Sequence, residues 1–152
     1  MWSEPIEMYF LPKNQCGMEQ YIVTERTVLI PRSGQLSGII GTAVLPYGDI
    51  LGGAVSEDAI RINCPDACTA GFLFVALTSQ YGLRQLKARA YGSSIPHLDV
   101  HQIRRVVLPD PGEAEMGRIG KAGAEVARLR NEAVAKDRET RALVERAIEE
   151  AA

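Results

Sequence analysis

Apolar positions along this chain recur first with a short, strand-like period and then with a helical one. In TVLIPRSGQ the β-branched, apolar run Thr27–Ile30 predicts a strand that ends in a turn at Pro31-Arg32-Ser33-Gly34. Gly38 and Gly41 bracket Ile39-Ile40, and TAVLP then predicts a second short strand, followed by the turn YGDILGG. AVSEDAIRINCP ends in an alternating stretch, Ala59–Asn63, that predicts another strand. TAGFLFVALTSQYGLRQLKARAYG predicts a helix with Phe72, Val75, Ala76, Ser79, Leu83 and Leu86 on its apolar face. In YGSSIPHLDVHQIRRVVLP a Gly-Ser-Ser loop and an extended Ile95-Pro96 lead to Asp99 at a helix start. Gln102 follows three residues later, a capping-box-like pattern. Val106-Val107-Leu108 reads as a strand stopped by Pro109. This unit has a polar tip and an apolar underside of Leu98, Ile103 and Val106.

A different composition begins at residue 113. All eight prolines and eleven of the fourteen glycines lie in 1–112, whereas 113–152 has neither proline nor aromatic residue and is dominated by helix formers. Ile119, Ala122, Val126, Leu129 and Ala133, then Leu143, Val144, Ala147 and Ile148, recur at the 3–4 spacing of a seam facing another helix. The seam is interrupted by Lys136-Asp137-Arg138-Glu139. One helix of this length is a rod of about 60 Å, longer than the preceding domain can cover. The expected architecture is α+β: a small mixed domain of short strands and helices over 1–112, then one long C-terminal helix over 113–152 that pairs as a coiled coil.

Composition adds little against this picture. Apolar and charged fractions of 46% and 24% are those of an ordinary globular domain. MWSEPIEMYF has acids where a signal peptide has bases, and the longest apolar run, AGFLFVAL, is too short to span a bilayer, so a cytoplasmic chain without membrane contact is expected. Three cysteines (Cys16, Cys64, Cys68) do not suggest a disulfide framework. Net charge is −2, but Arg84, Lys87, Arg89, Arg104 and Arg105 against Asp99 give a local five minus one, or +4. Such a patch suits phosphates or forms a solvated helix face.

Three further chemistries have partial signatures in the residues. Cys64-x-x-x-Cys68 and His97-x-x-x-His101 have zinc-ligand spacings, but 28 residues and a whole helix separate the pairs, so no metal site is expected. Cys16, Cys64 or Ser33 with His97 and Asp99 lacks a nucleophile elbow, and no catalytic residue is expected. GQLSGIIG has neither the spacing nor the acidic follow-on of a dinucleotide loop, so no cofactor is expected. Arg32 and Ser33 at a turn tip would suit a phosphate or a base edge; Arg84 and Lys87 neighbour each other on a helix, with Arg89 toward the following loop.

Taken in order, VLIPRSGQ, GGAVSEDAIRI, GFLFVALTSQYGLRQLKARAYGSSIPHL and IRRVVLPDPGEAE, up to the helix opening at Arg118-Ile119, resemble the target-recognition domain of specificity subunits from type I restriction–modification systems. The resemblance covers about residue 20 to the end. In that family a Pro-rich turn leads into a helix beginning near a Glu-Gln pair; Glu115 fits and Met116 replaces the Gln. Such subunits are not enzymes. They read a split sequence in double-stranded DNA for a modification (methyltransferase) subunit and, through it, a restriction subunit. Long paired helices space the two recognition domains and dock the modification subunits.

The resemblance therefore implies a recognition domain over 1–112, N-terminally short, and a spacer and dimerisation helix over 113–152. DNA contacts are expected from Arg32, Ser33, Lys87, Arg89, Ser93, Ser94 and His97. Helix pairing is expected from Ile119, Val126, Leu129, Leu143, Val144 and Ile148. A full subunit has two domain-plus-helix units and this chain has one, so the resemblance implies either a half-subunit that forms a homodimer through the helix and reads a palindromic split site, or a fragment that has lost part of its DNA-reading surface. The competing expectations are an assembly protein that only docks the modification subunit, and a small zinc-binding regulator.

Overall fold

The computed structural model describes residues 17–151. Cys16 and the N-terminal MWSEPIEMYF, with the reading made of it, lie outside the described residues. Two strands, β1 (Thr27–Pro31) and β2 (Ala59–Asn63), pair antiparallel with Thr27 opposite Asn63 and Pro31 opposite Ala59. Four helices follow: α1 (Ala67–Thr78), α2 (Gln80–Arg89), the single turn α3 (Val100–Ile103) and the long α4 (Glu113–Ala151). The α+β class expected from the sequence is therefore observed, as is the long terminal helix.

Three local expectations change. The strand predicted in TAVLP is reduced to one bridge, in which Leu29 and Val44 exchange backbone hydrogen bonds of 2.9 Å in both directions. Pro46 has no N–H with which to extend that ladder. The single helix predicted from 69 to 92 is two helices broken at Ser79. Its extended backbone (ψ 158°) ends α1, and its hydroxyl accepts from the Gly82 N–H at 3.2 Å to cap α2. A side chain at Gly82 would meet the Ala76 carbonyl at 2.3 Å, so the corner requires glycine. Val106–Leu108 is not a strand. The Gln85 amide takes the place of a neighbouring strand, accepting from the Val107 N–H and donating to the Val107 carbonyl, both at 2.9 Å.

The core gathers Val28 and Ile30 from β1, Ile60 from β2, Ala70, Phe74 and Leu77 from α1, Leu86 from α2, and Ile40, Leu45 and Leu98 from the loops. Asp66 starts α1 by accepting from the Thr69 N–H at 2.8 Å, a bond that holds its carboxyl below the usual range. α1 is apolar nearly all round because it is covered on two sides, by the core and by α4. The α4 contact is made by backbone rather than by large side chains. A Cβ at Gly71 would fall 2.1 Å from the Gly120 carbonyl, one at Gly120 would fall 2.3 Å from the Cys68 carbonyl, and one at Gly123 would fall 2.4 Å from the Gly71 carbonyl.

Further along α4, Ala127 packs against the core and Val134 is buried. The loop at 47–50 then clamps the helix. Arg130 lies over the rings of Tyr47 and Phe74, 5.7 and 5.8 Å from their centroids. Asn131 accepts from the Gly48 N–H, and Arg138 donates to both carboxylate oxygens of Asp49 at 2.7 and 2.6 Å.

Two outcomes follow from this packing. Gly71→Ala should cost about 3 kcal/mol or more, because the new methyl meets backbone that cannot yield, while Gly117→Ala, with open space around its Cβ position, should stabilise by about 0.5–1 kcal/mol. Urea midpoints at unchanged m-value check both. The Arg138 hydrogen bonds, helped by its charge, hold the Asp49 carboxyl below its ordinary 3.8. The clamp's contribution is thus complete above that value and is lost as pH falls through the lowered one. Asp49→Asn should flatten this acid dependence in hydrogen exchange of the α4 amides near Arg138.

Candidate nucleic-acid interface

Where β1 ends, its chain is handed to a hairpin from the far side of the sequence. The Arg32 N–H donates to the Asp58 carbonyl at 2.7 Å, and the Arg32 carbonyl accepts from the Leu98 N–H at 2.7 Å. Ser33 bridges His97, and Gly34 donates to the Pro96 carbonyl at 3.2 Å. His97 also pairs with Tyr91, each backbone N–H donating to the other's carbonyl at 2.6 and 2.9 Å. Residues 92–96 close this hairpin. Gly92 has φ +106°, and a Cβ there would meet the Ile95 carbonyl at 2.9 Å. Ser93, Ser94 and Ile95 are left exposed at the tip.

Leu98 anchors the hairpin in the core, with Ile103 and Val106 packed against it, which is the apolar underside predicted from the sequence. Asp99 caps α3 as predicted, accepting from the Gln102 N–H at 2.9 Å. Beside the hairpin, the loop from Ser33 to Gly41 exposes Leu36 and Ile39.

Arg32, Ser33, Ser93, Ser94 and His97 are thus brought together although some sixty residues separate Ser33 from His97. Lys87 and Arg89 are placed differently. The Lys87 ammonium donates to the Leu36 carbonyl at 2.7 Å and pins the neighbouring loop. Arg89 donates to the Gln85 and Arg105 carbonyls at 3.0 and 2.8 Å and holds the turn after α3. Arg105 in turn donates to the His101 ring at 2.8 Å. Lys87 and Arg89 thus direct hydrogen bonds at backbone carbonyls of their own chain. Arg84 and Arg104 are exposed.

The cysteines with zinc-ligand spacing belong to other parts of the fold. Cys68 lies against α4, its thiol 3.5 Å from the Gly117 carbonyl, while His97 lies in the hairpin. Among the described residues no three His, Cys, Asp or Glu side chains are grouped to hold a metal ion. Burial, with the charge of Asp66 behind it, pushes the Cys64 thiol up, away from the reactive thiolate.

Of the residues expected to pair helices, Ile119 is half-buried and Val126, Leu129, Leu143, Val144 and Ile148 are exposed, Leu129 to 51% and Ile148 to 64%. At 3.6 residues per turn only Leu129 and Leu143 lie opposite Gly120, Gly123, Ala127 and Val134, while Val126 and Val144 lie about a quarter turn to the side and Ile119 and Ile148 nearer the inward face. The face that holds the helix to the domain is built from small residues, Gly120 and Gly123, which the spacing of large apolar side chains does not reveal.

A shallow cavity of about 170 Å³ also opens on this side, lined by Arg32, Glu57, Ala59, Ile60, Arg61 and Val100. Glu57 and Arg61 were not singled out from the sequence, where SEDAIRI reads only as a turn and a strand.

Compared with known proteins, the chain matches no family model, no curated protein and no solved structure. No helix among the described residues is long and apolar enough to cross a membrane.

Arg89→Ala should cost about 1–2 kcal/mol and speed amide exchange at 104–107, since it removes the donors that hold the Arg105 carbonyl. Unchanged exchange in that turn would return Arg89 to the set of free surface cations.

Proposed function

We propose that the chain is a sequence-reading DNA module without chemistry of its own. In this reading it acts like one recognition unit of the type I restriction–modification specificity subunits that its sequence resembles. The observation that carries the reading is the convergence of Arg32, Ser33, Ser93, Ser94 and His97 on one polar edge. That edge is built by backbone bridges on a rigid core, as a base-reading surface needs. Exposed Arg84 and Arg104 supply the charge that brings a phosphate backbone to it.

α4 serves the second half of the function. Its exposed residues Val126, Leu129, Leu143, Val144 and Ile148 offer apolar surface to a second copy and, beside it, to the modification subunit. A two-fold pair would read two inverted half-sites at a spacing fixed by the helices.

One observation favours a second reading. Lys87 and Arg89 spend their donors on the protein's own carbonyls, which suits an assembly protein that docks the modification subunit and leaves DNA alone.

Light scattering of the chain alone and mixed with a cognate modification subunit, followed by duplex binding at several salt concentrations, separates the two. The DNA-reading unit is expected as a dimer that recruits the modification subunit. Its duplex affinity should fall with salt by about 0.9 log unit per log unit for each phosphate contact. Ser94→Ala and His97→Ala should each weaken binding about three- to tenfold without moving the urea midpoint. The assembly reading expects those variants to be silent and Val126→Asp or Leu129→Asp to abolish the complex. A monomer that ignores both DNA and the modification subunit sinks both readings.

A further inference from the structure

The guanidinium of Arg32, on the recognition edge, carries a polar atom that the fold leaves unpaired. Its Nε is buried and has no hydrogen-bond partner. Among the described residues no ion pair joins the group to a carboxylate. A buried charged donor left in this state is unfavourable, and a ligand with acceptors relieves it.

The cavity beside it shows what such a ligand must look like. Arg61, on its wall, is already committed: its Nη1 donates to the Val55 and Ser56 carbonyls at 3.1 and 3.3 Å, and its guanidinium lies 4.7 Å over the Tyr21 ring. Arg61 therefore braces the Ser56–Asp58 turn. The same turn is held by the Asp58 N–H on the Ser56 hydroxyl at 3.3 Å and by the Ala59 N–H on the Ser56 carbonyl at 3.1 Å. It is tied to Arg32 itself through the Arg32 N–H on the Asp58 carbonyl. Glu57 is thereby fixed on the cavity wall with Arg32, and Val100, 45% exposed, supplies an apolar side.

A phosphodiester presents acceptors only, and the Glu57 carboxylate repels it. The combination of a donor fork, an acceptor and an apolar wall instead matches an edge that carries two acceptors and a donor side by side. In the major groove a G·C pair offers that set: O6 and N7 of guanine accept, and the N4 amino group of cytosine donates. We infer that Arg32 and Glu57 together read one G·C pair, Arg32 donating from its guanidinium to guanine and Glu57 accepting from cytosine N4, with Val100 against the cytosine ring edge. This inference rests on the DNA-reading function proposed above and assigns Glu57, Val100 and the base pair to it.

Selection of bound sequences from a randomised duplex pool, with the full chain and with Arg32→Ala and Glu57→Gln, tests it. The expected result is a motif with a fixed G·C pair in the unsubstituted chain. At that position alone, preference should fall about tenfold or more in both variants, with the other positions kept. Glu57 is an exposed turn residue, so Glu57→Gln keeps the inference testable even where Arg32→Ala disturbs the edge. A motif unchanged in Glu57→Gln overturns the inference and leaves the DNA reading standing. So does a uniform loss across all sequences in Arg32→Ala, the mark of a phosphate contact. An unsubstituted chain that retains no duplex sinks the DNA reading, and this inference with it.

Discussion

Everything in this molecule is referred to the place where α1 and α4 touch through backbone. Gly71, Gly120 and Gly123 leave no room for side chains between the two helices, so the contact admits one rotation of α4 about its axis. That rotation decides which residues face the domain and which face outward. Ala127, Val134 and Arg138 are carried onto the core and the 47–50 loop, and Leu129 and Leu143 are carried away from it. A larger residue at the contact would separate the helices and turn the outward face at the same time.

α1 is the hub of this arrangement because it is covered on both sides. The core side holds β1, β2, α2 and the anchor Leu98, and Leu98 in turn fixes the hairpin whose tip is Ser93 and Ser94. The polar edge and the outward seam of α4 are thus two surfaces of one packed body, joined through a single helix. Side chains that look like binding residues in the sequence also serve this body. Lys87 ties down the loop beside the edge, and Arg89 ties down the turn behind it.

Much of the fold was legible in the sequence where local chemistry and global packing agree. β1 and β2 follow their β-branched alternation, Asp99 caps the turn it was expected to cap, and α4 begins where proline ends. Two of the failures share a cause, which is that side chains stand in for backbone. Gln85 occupies the hydrogen bonds of Val107 that a strand partner would take, and the Ser79 hydroxyl ends one helix and starts the next inside an apolar run. Neither is visible to a periodicity. Ser-x-x-Gly at 79–82 was the available signal for the break. Of the candidate site, the polar loop residues were legible because turns expose what they carry. The partnership of Arg32 with Glu57 was not, because it depends on a register that places the turn before β2 beside the exit of β1.

The bidentate pair between Arg138 and Asp49 is the last tie between α4 and the domain among the hydrogen bonds described here. From Glu139 to Ala151, over roughly 20 Å, none of those bonds joins the helix to the domain. It is a lever with its fulcrum at that pair. A tilt of roughly 10° there moves the far end by about 3 Å, more than half a helical turn's rise. A small adjustment in one exposed loop is thereby amplified into a displacement large enough to change the register against whatever meets the end of the rod.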